Sequence, residues 1–193
     1  MSVPTNRKDI LLLLLYAPGT TGAVNEAIAG KTRLMKMLFL FMKEVLPHFS
    51  KSIRISEENF YDFFPWNFGP FSSQVYDDLV FFKLTGFIES SVAPNEGLPE
   101  SEEEWQKWLD QSGATESADA FSVYEEETFK LTPKGMDFAR KMYEALSDSQ
   151  QNLLQSFKRR LVDIPLRAIL RYVYKRYPEQ ITRSQIAEEV SAY

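Results

Sequence analysis

The sequence contains no cysteine and one histidine, His48. Without thiols there is no disulfide scaffold, no thiolate zinc site and no cysteine nucleophile, and a reducing, cytoplasmic setting is expected. A Ser-His-Asp triad or a His-rich metal cage would have to hang on His48 alone. That residue follows Pro47 just past a predicted helix end, where it suits the helix dipole better than catalysis. Glycine-rich nucleotide loops are missing too, since no GxGxxG or GxSxG occurs. Gly30-Lys31-Thr32 has the ending of a phosphate-binding loop, but Asn25 stands where that loop needs its first glycine, and a helix rather than a strand leads in. No Asp/Glu-x-Lys occurs, which removes a carboxylate-plus-lysine nuclease. The runs Glu102–Glu104 and Glu125–Glu127 are consecutive, so their carboxylates do not converge on one ion and read as solvated acidic faces. No catalytic residue, metal site or cofactor is therefore expected. No apolar stretch approaches the roughly 18 residues of a membrane span, so no membrane partner is expected either. The run Ile10–Leu15 after Arg7-Lys8 has the outline of a secretory signal, but Asp9 interrupts the basic part and Pro18-Gly19 ends the run early. It reads as a buried first helix.

What is present is an ordinary globular composition, 44% hydrophobic and 25% charged over 193 residues, with a net charge of −5. That charge is unevenly spread. Residues 1–54 carry a net +5, residues 55–129 a net −15 and residues 130–193 a net +5. Basic arms that complement an acidic middle within one fold explain this asymmetry, and so do binding partners.

Helix signals divide the chain. Thr5 can cap a helix to about Ala17, and Gly19 to Gly30 reads as a loop. Thr32 caps a second helix from Arg33 to about Leu46, ended by Pro47. Ile53-Arg54-Ile55 is a candidate strand, and Phe60 to Trp66 is aromatic and extended. After the turn Asn67-Phe68-Gly69-Pro70, Ser72 caps a third helix to about Leu84, which Gly86 stops. Phe87-Ile88-Glu89 and Phe121 to Leu131 read as paired strands around an acidic insertion at residues 93–120. Within it Ser101 to Leu109 forms a short amphipathic pattern with Trp105, Trp108 and Leu109 on one face. Thr132-Pro133 opens a helix to about Leu146, and further helices are expected at 148–161, 165–177 and 183–191. This order predicts an α+β fold, mostly α: a winged-helix-like core over residues 1–146 with a two-stranded wing, and a helical C-terminal extension over residues 147–193 packed on it.

Binding candidates follow from the basic residues. In a winged-helix protein the third helix usually enters the major groove, yet here it carries Asp77 and Asp78 with Lys83 as its base. The alternatives are a stripe of Arg33, Lys36 and Lys43 opposite the apolar arc of helix two, the cluster Lys158-Arg159-Arg160, and a ridge of Arg167, Arg171 and Lys175 at i, i+4 and i+8. Tyr172, Tyr174 and Tyr177 interleave with the ridge and could stack on bases. Solvated helix faces with half-buried tyrosines are the plainer alternative. Trp105 and Trp108 add a candidate protein-binding face.

Several segments resemble one family. Gly30-Lys31-Thr32-Arg33-Leu34-Met35-Lys36-Met37-Leu38-Phe39 is similar to the G-x-T-(R/K)-L-x-K segment of YwgA-like and SocA-like proteins, the Panacea antitoxin domain. Phe63-Phe64-Pro65-Trp66-Asn67-Phe68-Gly69-Pro70-Phe71-Ser72 resembles its G-P-(Y/F)-S signature, and Phe129 to Gly135 its closing strand-to-helix junction. Tyr172 to Glu179 also resembles the YwgA-like branch. The resemblance spans roughly residues 8–90 and 121–184. It implies a winged-helix-like module without catalytic activity that holds a partner protein, as antitoxin or proteolysis adaptor. On the residues themselves Trp66, Gly69, Pro70 and Ser72 are mainly structural: Gly69-Pro70 forces a turn, Ser72 caps the next helix, and the aromatics anchor the turn. The expectation is a non-enzymatic bacterial regulator or adaptor that binds a protein, toxin or regulatory target. A winged-helix DNA-binding regulator is the alternative, and a homodimer is left open.

Overall fold

A computed structural model describes residues 3–49, 55–66, 68–95, 124–180 and 182. Helix α1 (Arg7–Tyr16) starts at Asn6, one residue later than the sequence pattern suggests. The Asn6 side chain accepts from the Lys8 and Asp9 amides, and the Asp9 carboxylate accepts in return from the Asn6 and Thr5 amides. Every side chain from Ile10 to Leu15 is at most 1% exposed. A helix that is apolar all round has to be surrounded on every side, and α1 is the central rod of the core.

Strand β1 (Ile28–Ala29) lies in the stretch expected to be loop, and it pairs with β5 (Tyr124–Leu131). Asn25, at φ 60°, extends that pairing with a side chain: its amide donates to the Leu131 carbonyl and accepts from the Leu131 N–H. β5 also pairs antiparallel with β4 (Ile88–Asn95), Ile88 opposite Leu131 and Asn95 opposite Tyr124. The sheet therefore has three strands in the order β1-β5-β4, one more than the expected two-stranded wing.

The second helix corrects the expectation at both ends. It begins at Lys31 behind Gly30, whose φ of 86° suits glycine, so Thr32 is not its cap. Nor does Pro47 end it. Helix α2 (Lys31–Leu40) continues through a π-helical turn, Phe41–Val45, into α3 (Leu46–Phe49). In that turn the Leu46 N–H bonds to the Phe41 carbonyl, five residues back. A proline inside an α-helix clashes with the carbonyl four residues earlier, and the widened turn relieves that contact.

β2 (Phe64–Trp66) and β3 (Gly69–Phe71) form a separate two-stranded hairpin with Phe64 opposite Phe71. Helix α4 (Ser73–Leu84) follows and is stopped at Gly86, φ 71°. Ser72 occupies the cap position, but its hydroxyl makes no capping bond and is buried without a partner. The Val75 N–H instead closes the first turn on the Ser72 carbonyl. Thr132 does cap the next helix, α5 (Pro133–Glu144), through the Gly135 amide. Helices α6 (Asp148–Leu161) and α7 (Leu166–Arg176) add Leu154, Phe157, Ile169 and Leu170 to the same buried cluster as α1. The fold is thus α+β and mostly helical, and among the described residues no helix is long and apolar enough to cross a membrane. Trp105 and Trp108, the candidate helix 183–191 and Ile53-Arg54 lie outside the described residues.

Candidate interaction surface

The cations singled out in the sequence separate into two groups. Arg33 and Lys36 do not form an exposed stripe with Lys43. Arg33 is buried, with Nε donating to the Ala29 carbonyl and one terminal nitrogen to the carbonyls of Leu161 (3.1 Å) and Ile164 (2.5 Å). It thereby caps the last turn of α6, whose carbonyls have no partners within the helix. Lys36 is buried too, and its Nζ donates to the Pro70 carbonyl at 2.8 Å. Lys43 is partly exposed and ion-paired with Glu57.

The Lys158-Arg159-Arg160 cluster divides in the same way. Lys158 is completely buried and donates to the carbonyls of Leu15 and Glu26, each at 2.7 Å. Burial pushes its ammonium down to about 7, against the opposing pull of the Glu26 charge. Arg159 is exposed, and Arg160 reaches the Glu44 carboxylate at 3.4 Å. Long aliphatic stems let these cations fall inside, because buried carbonyl oxygens need donors as much as an ammonium needs acceptors.

Helix α7 keeps its cations outside. Leu166, Ile169, Leu170, Val173 and Tyr174 face the core, leaving Arg167, Arg171 and Lys175 exposed along the opposite ridge. Among the described residues none of the three has a carboxylate within ion-pair distance. The interleaved tyrosines are committed elsewhere. Tyr172 donates to Glu44 at 2.7 Å, Tyr177 packs edge-on against Phe39 with its hydroxyl toward Glu44, and Tyr174 is buried.

The signature segment serves the fold. Gly69 has φ 82°, and a Cβ there would lie 2.9 Å from Tyr174 Cε1, so β3 can sit against α7 only with glycine at that position. The Pro70 carbonyl receives Lys36, and the Trp66 ring lies 5.9 Å from Phe64 and 6.2 Å from Phe71. A cleft beside it is lined by Thr32, Met35, Trp66, Phe68, Phe71 and Tyr76. No carboxylate, imidazole or ammonium lines that cleft, and the Tyr76 phenol is the one ionisable side chain in its lining. Among the described residues no three His, Cys, Asp or Glu side chains come together to hold a metal ion.

Sequence reasoning missed one surface. On α4, Val80, Phe81 and Leu84 point outward at 54%, 44% and 83% exposure. The signal was their i, i+1, i+4 spacing, which Asp77 and Asp78 overshadowed. Asp78 is not on that face at all: it is buried and paired with Arg7 at 3.0 Å and Lys8 at 3.6 Å. Glu127 on β5 similarly collects Lys83 at 2.5 Å and Lys31 at 3.1 Å. Partial burial works against its charge, but these two ammonium groups and Ser90 outweigh it and hold the carboxyl at about 2.

The chain matches no protein-family model, no curated protein and no solved structure.

Proposed function

We propose that this chain is a non-enzymatic regulatory or adaptor protein, antitoxin-like in the sense of the YwgA-like and SocA-like resemblance, that binds a partner protein in a bacterial cytoplasm. The observation that carries this reading is the outer face of α4, where Val80, Phe81 and Leu84 stand in solvent. A winged-helix-like core is supported by the order α1, β1, α2, α4, β4, β5 with β5 between the other two strands. In that arrangement α4 is the helix that would enter a DNA groove, and bases are read with hydrogen-bonding side chains rather than with Val, Phe and Leu. Apolar side chains at that position gain by being covered with protein.

A second reading, binding to duplex DNA, draws support from the exposed ridge of Arg167, Arg171 and Lys175. Isolation of the tagged chain from its native cells, assayed for protein and nucleic acid, separates the two. Protein binding predicts a partner at fixed stoichiometry and no salt-sensitive shift of duplex DNA. DNA binding predicts affinity that falls steeply with salt and disappears in Arg167→Glu/Arg171→Glu/Lys175→Glu. A chain that retains no protein but shifts duplex in this way replaces the first reading with the second.

A further inference from the structure

We propose that the outward face of α4 is a docking surface for an amphipathic helix of a partner protein whose polar flank is acidic; this rests on the protein-binding reading above and names the kind of partner. Single exposed apolar side chains are common on any protein, but here they adjoin. Val80, Phe81 and Leu84 occupy adjacent turns of one face. From Phe81 the rings run on to Phe82 at 5.3 Å, Phe87 at 5.8 Å from it and Phe138 at a further 5.6 Å. Phe82 in this chain of rings is buried at 5% exposure, so Phe138 on α5, 42% exposed, is joined to the α4 face beneath the surface, through Phe82 and the half-buried Phe87. An exposed apolar helix face of this kind packs against the i, i+3, i+4, i+7 side chains of an incoming helix.

The rim decides the charge of that helix. Lys8 Nζ stands 4.0 Å over the Phe81 ring, and Lys134 Nζ stands 4.3 Å over the Phe87 ring while donating to the Thr85 carbonyl. Lys83 flanks Leu84 directly. The nearby carboxylates do not cancel these cations, because each is shared by two: Asp78 by Arg7 and Lys8, Glu127 by Lys31 and Lys83. Lys134 has no carboxylate within ion-pair distance among the described residues. Exposed acids oppose them: Asp77, which shares the helical face of Val80, Phe81 and Leu84 at i, i+3, i+4 and i+7, Glu89 on β4, paired with Lys130 at 3.2 Å, and Asp137 on α5, held by Arg140 at 2.7 Å. The rim is positive on balance. A second copy of this face would bring lysines against lysines, whereas carboxylates along an apolar helix would meet them favourably.

The test titrates the full-length chain with a fluorescent synthetic helix of about five turns that has leucines on one face and glutamates on the other. A matched peptide carries lysines in place of the glutamates. The glutamate peptide is expected to bind at least about tenfold more tightly, with the preference shrinking as salt rises. Val80→Asp/Leu84→Asp, changes at exposed positions whose unchanged melting verifies the fold, should weaken it by about tenfold or more. Lys134→Glu should shift the preference toward the lysine peptide. Failure of the wild type to bind the glutamate peptide, equal binding of both peptides, or an unaffected double variant would overturn the proposal. So would self-association abolished by Leu84→Asp, which makes a second copy the occupant. Refusal of the peptide relieved by Glu102→Lys, Glu103→Lys and Glu104→Lys would assign this face to the chain's own acidic segment instead. A native partner retained equally by Val80→Asp/Leu84→Asp sinks this docking surface and leaves the protein-binding reading standing. Peptide binding with no protein retained from native cells does the reverse.

Discussion

Helices α2 and α7 both carry cations at helical spacing, and the tertiary structure puts them to opposite uses. On α2, Arg33 and Lys36 turn inward and donate to backbone carbonyls of α6, the α6–α7 turn and β3. Lys158 on α6 does the same for the end of α1. On α7, Arg167, Arg171 and Lys175 remain in water. Spacing alone does not separate a binding ridge from a set of internal clamps. What separates them is whether buried carbonyls of other segments come within reach.

The sharpest way to break this comparison is Arg33→Ala. It strands the carbonyls of Leu161, which is buried, and of Ala29 and Ile164, which are partly buried, and a loss of about 3–5 kcal/mol in denaturant unfolding is expected. An exposed binding residue would leave unfolding unchanged, so a loss under about 0.5 kcal/mol would return Arg33 to the surface group. Lys36→Met removes one such clamp and should cost about 1–3 kcal/mol, read from the same unfolding curves.

Lys158 tests the comparison through pH. Its ammonium has a pKa of about 7 in the fold and about 10.4 in an unfolded chain. Between those values the unfolded state holds a proton that the folded state has released, so stability should rise with pH from about 7 toward 10. Above about 10 the sign reverses, because Tyr177, raised to about 12 chiefly by burial and also by the Glu44 charge, stays neutral in the fold while an unfolded tyrosine ionises. Lys158→Met should flatten the rise between 7 and 10, measured as melting temperature against pH. A rise that survives the substitution would assign it to another group. At the acid end, Glu127 is held near 2, so its contribution is present above about 4.5 and fades as pH falls toward 2. The Glu127→Gln variant should lose that acid limb.

The smallest effect on stability belongs to the ridge. Arg167→Glu, Arg171→Glu and Lys175→Glu should each change unfolding by no more than about 0.5 kcal/mol, while altering whatever binding the ridge supports. Destabilisation as large as that of Arg33→Ala would erase the distinction between the two helices.

Much of the fold was legible locally. Six consecutive apolar residues, Ile10 to Leu15, imply a helix with no solvent face, and Thr132-Pro133 and Gly86 mark a start and a stop through chemistry that acts within a turn. The passage through Pro47 was not legible, because a π-helical turn overrides the usual rule for proline. β1 was hidden because only Ile28 and Ala29 pair, with Phe129 and Thr128 far along the chain, and Asn25 extends that pairing through its side chain to Leu131, 106 residues away. The outward face of α4 was present in the spacing, but the paired fate of Asp78 with Arg7 and Lys8 had to be seen before its apolar character stood out.

By itself, then, the sequence determined most of the helices, the β4–β5 pair and the wholly apolar character of α1. Only the tertiary structure decided which of its cations are clamps and which are surface. The periodicity of a helix specifies which side a residue is on. It does not specify what a distant part of the chain will bring to that side, and a long basic side chain goes into water or onto a buried carbonyl accordingly.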